Sequence, residues 1–403
     1  MTAPNLFDYK EVVGPDIIEE LTTLASHVGN RSIKMVNSTA VGGGVAEMLN
    51  RVVPLLNDLG VKATCDVIKG EEAFFEITKS FHNALQGKEE YFHEDVFKTY
   101  LKYNEMNNRE MEFDEDLIVI HDPQPVAILN YRQEKKGKWI WRFHIDPTSA
   151  QEKIWQFIKS FIEKHDAAIF TLKEYAKDDL KLENIAIIPP AIDPLSPKNM
   201  DLDQEEIENI VTKYKVDPDR PIITQVSRFD PWKDPLGVID MYRIVKKEIK
   251  DIQLVLIASM ANDDPEGWEY YEKTARHAGE DYDIHLLSNL NGVGNLEVNA
   301  FQRASDVIIQ KSLREGFGLV ITEALWKGKP VVAANVGGIP LQVDNRRTGF
   351  LVGDISECAE RVIHLLKDSE IANKMGTSGK EYVRKNFLIT RLLKDYLSLF
   401  NSL

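Results

Sequence analysis

The chain has 403 residues, enough for two domains with substantial cores at roughly 150 residues each. Its formal net charge of −15 argues against a nucleic-acid binder, which presents a basic face. The longest apolar runs, such as residues 254–258, have strand length and fall far short of a membrane span, and the two cysteines, Cys65 and Cys358, are too few for a disulfide framework or a cysteine zinc site. Residues 1–16 are polar and lack the apolar run of a signal peptide, so the expected compartment is the cytoplasm.

Strand-like and helix-like segments alternate along the chain. Residues 33–37 read as a short strand that runs through Thr39 into Gly42-Gly43-Gly44, and a helical pattern follows over 45–59. Further strands are read at 61–67, at 117–120 before His121-Asp122-Pro123, at 139–143 before His144, at 168–170 and at 185–188, with amphipathic helices between them, as over 154–164. Such alternation predicts parallel sheets with helices on both faces. Pro189, Pro190, Pro194 and Pro197 then exclude regular helix. A second series begins at 221–226 and continues at 253–257, 284–287, 304–310 and 330–333. The hinge is placed at 189–197. The expected fold class is α/β, with one doubly wound Rossmann-like domain over 1–190, a second over 191–385, and a C-terminal helix over 386–403 packing back across the junction.

The unusual residues fall at the carboxyl ends of these strands, where open α/β sheets bind ligands. The most informative stretch is Ser312-Leu313-Arg314-Glu315-Gly316-Phe317-Gly318-Leu319, followed by Glu323 inside the helix that the turn opens. Helix-start amides make an anion site, and glycines let a ligand approach the backbone. Glu315 would accept from hydroxyls beside that anion. The bland reading is an acid complementing a helix dipole, with Glu323 and Lys327 as an ordinary surface pair. In Arg228-Phe229-Asp230-Pro231-Trp232-Lys233 two cations flank a proline turn; the alternative is a surface loop salt-bridged by Asp230 and Asp234. His144 and His121 have a core-histidine alternative, and the Trp139/Trp141 pair reads as packing.

A nucleoside-diphosphate sugar satisfies the whole set. Arg228, Lys233 and the amides of Gly316, Phe317, Gly318 and Leu319 would stabilise the departing diphosphate. Glu315 would hold sugar hydroxyls and Glu323 ribose hydroxyls. Gly43 and Gly44 would approach the donor, and an acceptor hydroxyl would lie near His144, Asp122 and Gly42. Two sheets facing a central cleft would gather these groups, and closure would orient the reactants and exclude water. No metal is required, and no Asp-x-Asp cluster on a strand end suggests one; Asp263-Asp264 sits in an expected loop.

These motifs carry a resemblance over nearly the whole chain. Glu315 and Glu323 with seven residues between them, Arg228 with Lys233, the glycine loop and His144 resemble the retaining glycosyltransferases of the GT-B fold, family 4. Phe81-His82-Asn83-Ala84-Leu85-Gln86-Gly87, His121-Asp122-Pro123-Gln124-Pro125 and the segment from Gln225 to Lys233 are similar to the glycosyltransferring trehalose synthases, themselves similar to retaining trehalose phosphorylases. The resemblance implies reversible formation of α,α-trehalose from an NDP-glucose (UDP- or ADP-glucose) and glucose, with retention. It implies catalytic roles for Arg228, Lys233, Glu315 and His144. It implies small-molecule partners only: no nucleic acid, no membrane, a homodimer left open, and Mg2+ left open without a protein-bound site. One departure is Asp234-Pro235 where many relatives have glycine, which puts a carboxylate beside Lys233. Two alternatives stay open, a phosphorylase using glucose 1-phosphate and a catalytically silent nucleotide-sugar binder.

Overall fold

The computed structural model describes residues 4–40, 43–260 and 265–403; Gly42 and Asp263-Asp264 therefore lie outside the described residues. The chain divides into two compact units, Met1–Ala191 with Ile389–Leu403, and Ile192–Leu388.

The first unit is built on β1 (Ser32–Asn37), β2 (Lys62–Val67), β3 (Leu117–His121), β4 (Lys138–Arg142), β5 (Ala167–Phe170) and β6 (Asn184–Ile187). They form one parallel sheet in the order β2-β1-β3-β4-β5-β6. Central strands of such a sheet are covered on both faces and therefore read as unbroken apolar runs; β3 is buried throughout. Aromatic side chains fill one core, among them Phe74, Phe81, Tyr100, Phe113, Trp139, Trp141 and Trp155, so the tryptophan pair is packing. The helix Ile389–Ser402 buries Leu392, Leu393, Tyr396, Leu397 and Phe400 at helical spacing. It packs on the helices Pro15–Val28 and Gly43–Asp58, where Arg31 donates to the Phe400 carbonyl (2.8 Å) and Asn401 to that of Leu24 (2.9 Å).

The second unit carries β7 (Ile222–Val226), β8 (Gln253–Ala258), β9 (Ile284–Ser288), β10 (Val307–Gln310), β11 (Val331–Ala334) and β12 (Gly349–Val352) in the parallel order β12-β11-β10-β7-β8-β9. Two readings change. The segment 304–310 is not all strand, because Ala304 closes the helix Asn295–Ala304 and β10 begins at Val307. β12 was not foreseen: it opens on Gly349 directly after the polar turn 344–348, a stretch that reads as loop.

In each unit the order of strands reverses once, between β1 and β3 in the first and between β7 and β10 in the second. At such a switch point neighbouring loops diverge to opposite faces and leave a crevice beyond the strand ends.

Candidate functional site

In the second unit the loops after β7 and β10 meet at the switch point because these strands are hydrogen-bonded neighbours. Gln225, buried near the end of β7, fixes them together: its Nε2 donates to the Lys233 carbonyl (2.9 Å) and its Oε1 accepts from the Lys311 N–H (3.0 Å). A main-chain bond from Leu313 N–H to the Trp232 carbonyl (2.7 Å) adds a second tie, and the Arg314 guanidinium lies over the Trp232 ring at 5.1 Å.

Lys233 and Glu315 are brought into direct contact by these ties, Nζ to Oε2 at 2.5 Å, and both are largely buried. The Ser312 hydroxyl donates to the same oxygen at 3.3 Å. Asp230 caps the turn that carries Lys233, accepting from its N–H at 3.0 Å, and pairs with Arg228 at 2.9 Å. Arg228 is the exposed member, with 66% of its side chain open to solvent, as a cation awaiting a mobile anion would be. Asp234 does not oppose Lys233. It stands in the left-handed region at φ 47°, caps the helix Pro235–Glu248 through the Gly237 N–H (3.1 Å), and pairs with Lys311. Its carboxylate is committed away from the site.

Gly318 opens the helix Leu319–Trp326 at φ 88°, a conformation that a side chain would strain. The first amides of that helix have no carbonyl within it to bond. The turn is held from below by the loop after β11: Gly338 N–H donates to the Glu315 carbonyl (3.2 Å), and Gln342 Nε2 to the Phe317 carbonyl. A Cβ on Gly338 would fall 2.5 Å from the Gly316 oxygen and 2.9 Å from the Phe317 Cα, so the approach is backbone to backbone.

Glu323 and Lys327 are not a surface pair. Glu323 is 4% exposed and Lys327 8%. Lys327 Nζ donates to Asn199 Oδ1 (2.9 Å) and to the Glu323 carbonyl (3.2 Å), and burial pulls its ammonium down to about 7. The Glu323 carboxylate instead lies 3.7 Å from Lys198 Nζ through Oε1, while Oε2 is buried without a hydrogen-bond partner. A buried carboxylate oxygen lacking a donor is costly, and a hydroxylated ligand would relieve it.

In the first unit Asp122, His121 and His144 come together beyond β3 and β4. His121 Nδ1 and His144 Nε2 are 3.0 Å apart with nearly parallel rings. Asp122 sits at φ 64°, accepts from the His144 N–H (3.0 Å) and passes its own N–H to the Arg142 carbonyl (2.8 Å). Burial and the adjacent Arg142 hold His121 at about 3 and His144 well below the usual histidine range, so both rings are neutral. His121 Nε2 is buried without a partner. An orphaned N–H costs more than an orphaned lone pair, which assigns the bridging proton to His121 Nδ1 and leaves Nδ1 of His144 protonated. Burial lifts the Asp122 carboxyl to about 7. Gly43 and Gly44 open the helix Gly43–Asp58 after β1, at the same end of the sheet and exposed.

Sequence patterns of two protein families cover most of the chain: "Trehalose synthase, N-terminal domain" matches residues 35–177 and "Glycosyl transferases group 1" residues 206–382. The trehalose synthase of Thermococcus litoralis is 50% identical over 399 residues, 98% of this chain and 97% of that protein. The chain belongs to the trehalose synthase family. It is a glycosyltransferase, and its two parallel-sheet units are those of the GT-B fold. The sucrose-phosphate synthase structure from Thermosynechococcus elongatus superposes with a TM-score of 0.73 at 19% identity, covering 93% of this chain and 99% of that one. The trehalose phosphorylase of Grifola frondosa is more distant, 28% identical over 423 residues, 93% of this chain and 58% of that protein.

In the second unit Lys233 and Glu315 meet at the Gly316-Phe317-Gly318-Leu319 turn, Arg228 is tied to the same loop through Asp230, and Glu323 follows in the helix; in the first unit His144 meets Asp122. The sequence reading missed Gln225, Lys311, Gln342 and Lys198. Gln225 lies near the end of an apolar strand, Lys311 and Lys198 lie on loops, and Gln342 ends a four-residue helix; each ties one loop to another, as Gln225 does through Lys311 and Gln342 through Phe317, and no local spacing marks such a role.

Proposed function

We propose that the chain is a retaining, family 4 glucosyltransferase that moves glucose from a nucleoside-diphosphate donor onto a second glucose, giving α,α-trehalose reversibly. The observation that carries this reading is the grouping at the second unit's switch point: a lysine–carboxylate pair against a helix N-terminus, and one turn into that helix a buried carboxylate oxygen without a donor. Diphosphate, sugar and ribose each have a complementary group there.

In the donor-free site Lys233 and Glu315 neutralise each other. A diphosphate competes for Lys233, and Glu315 is then offered to the glucosyl hydroxyls. The bond between the glucosyl C1 and the β-phosphate oxygen breaks, and the acceptor hydroxyl oxygen bonds to C1 on the same face. The acceptor proton passes to the departing phosphate oxygen. Lys233, Arg228 and the amides at Leu319 meet the negative charge that grows on the leaving group. The acceptor is assigned to His144 and Asp122, where a neutral imidazole N–H and a carboxyl group complement a sugar hydroxyl.

The test is to incubate the full chain with UDP-, ADP- or GDP-glucose and glucose and to identify the disaccharide and its anomeric configuration by NMR. α,α-Trehalose and the nucleoside diphosphate are expected. Turnover with glucose 1-phosphate alone would replace this reading with phosphorolysis, and binding without turnover would replace it with a silent binder.

A further inference from the structure

We infer that a cationic cavity beside β12 is an effector site for a sugar phosphate, and that its occupancy is felt at the Gly316–Gly318 turn. The cavity shares no residue with the groups assigned to the donor.

The turn before β12 and the two helices that follow it, Ile355–Lys367 and Ser369–Asn386, enclose about 560 Å³ within the second unit. Arg346 and Arg347 come from the turn, Arg361 from the first helix and Lys374 from the second, and no carboxylate lines the wall. Two of these cations are matched from outside it, Arg347 by Asp344 and Arg361 by Glu357 at 3.8 Å. Arg346 and Lys374 have no ion pair among the described residues. In a chain of net charge −15, four cations around one cavity form a local reversal of sign. Like charges held together repel, and a doubly charged anion between them relieves the repulsion. Guanidinium forks beside a compact ammonium are the donors that a phosphate group takes.

The rest of the wall selects what the phosphate carries. Phe350 is the aromatic residue there, and its ring is already engaged by the Arg361 guanidinium at 5.1 Å and by His364 edge-on at 6.0 Å. No open ring face remains for a nucleobase to stack on. His364 and the Ser378 hydroxyl instead offer hydrogen-bonding groups to a sugar.

A short path joins this cavity to the donor turn. Gln342, which donates to the Phe317 carbonyl, stands two residues before Asp344. Asp344 closes the cationic turn by accepting at its carbonyl from the Arg347 and Thr348 N–H groups, both at 2.9 Å. The Arg347 guanidinium also lies 5.7 Å from the centre of the Tyr382 ring, whose hydroxyl donates to the Leu341 carbonyl at 3.0 Å. A phosphate would compete with Asp344 for Arg347. The helix Ile339–Gln342 is thus held at one end by a contact the ligand disturbs and at the other by the turn that meets the donor.

The experiment titrates glucose 6-phosphate, AMP and inorganic phosphate into the full-length enzyme by calorimetry. Glucose 6-phosphate should bind with a Kd of about 1 mM or below and more tightly than the other two. Arg346→Asn/Lys374→Gln should weaken it about tenfold or more, through lost bonds from charged groups, and leave basal turnover at the wild-type level. Both side chains are exposed, and asparagine tolerates the left-handed backbone of position 346 at φ 70°. Lys374→Gln alone should show part of the loss, and a thermal melt checks that each variant is folded. Arg228→Ala, which strips the donor site instead, should leave this binding in place. Saturating glucose 6-phosphate should shift the KM of the sugar donor about fivefold or more in the wild type and not in the double variant. Absence of binding overturns the inference, as does binding that Arg228→Ala abolishes and the double variant keeps. Tighter binding of AMP or inorganic phosphate overturns the assigned ligand class, and an unchanged donor KM at saturation overturns the effector role.

Discussion

Acid sensitivity in the first unit offers a quantitative check on the His121–His144–Asp122 cluster. His121 and His165 are buried and held at about 3 and about 4 against an ordinary 6.5. Each is neutral in the folded chain and takes up a proton on unfolding below pH 6.5. Stability therefore falls on acidification by about 1.4 kcal/mol per pH unit for each ring. Asp122 works in the other direction. Its folded value is raised from 3.8 to about 7, so its contribution is full below the unfolded value and is lost as pH rises through 7. Between pH 7 and pH 5 the carboxyl should return about 2 kcal/mol, offsetting about one histidine. Asp122→Asn removes that offset and little else. The amide oxygen can still accept from the His144 N–H, and asparagine tolerates the left-handed backbone at φ 64°. Equilibrium urea unfolding at pH 7 and pH 5, followed by tryptophan fluorescence, reads the effect, since Trp139, Trp141 and Trp155 are all buried in this unit. The variant should lose about 2 kcal/mol more than the wild type between those pH values. Equal losses would refute the buried, proton-holding state of Asp122.

Two further outcomes are expected. Gly338→Ala should lower kcat/KM by about a hundredfold, because backbone contacts at 2.5 and 2.9 Å leave the new methyl no room except by displacing the Gly316 turn, and misplacements of about 1 Å carry that cost; steady-state kinetics at wild-type levels would remove the turn from the site. Arg228→Ala should cut kcat by about a hundredfold or more through lost leaving-group stabilisation while leaving the melting temperature within a few degrees, since the side chain is 66% exposed; an unfolded variant would assign the residue to structure.

What the sequence disclosed, and what it withheld, follow from the range of the forces involved. Central strands such as β3, β8 and β10 announce themselves because a strand covered on both faces needs an unbroken apolar run, whereas the edge strands β2 and β6 are partly exposed and were read from their place in the alternation. β12 escapes notice because Gly349–Val352 opens on a glycine directly after a polar turn, where the sequence reads as loop. Arg228, Lys233 and Glu315 were legible because strand ends are where this architecture exposes polar groups. The meaning of Asp234 was not. Beside Lys233 in the sequence, it turns away to Lys311 because its left-handed backbone aims it at the next helix. Lys327 looked like a surface partner of Glu323 by spacing alone, yet Asn199, more than a hundred residues earlier, draws it inside.

The last helix belongs to the first unit, so the second unit is an insertion whose ends meet where Ile192 pairs with Leu388. The first unit's core is thus closed by Leu392, Tyr396 and Phe400, which the chain reaches only after traversing the whole of the second unit, so its last contacts carry the entropy of a loop about two hundred residues long.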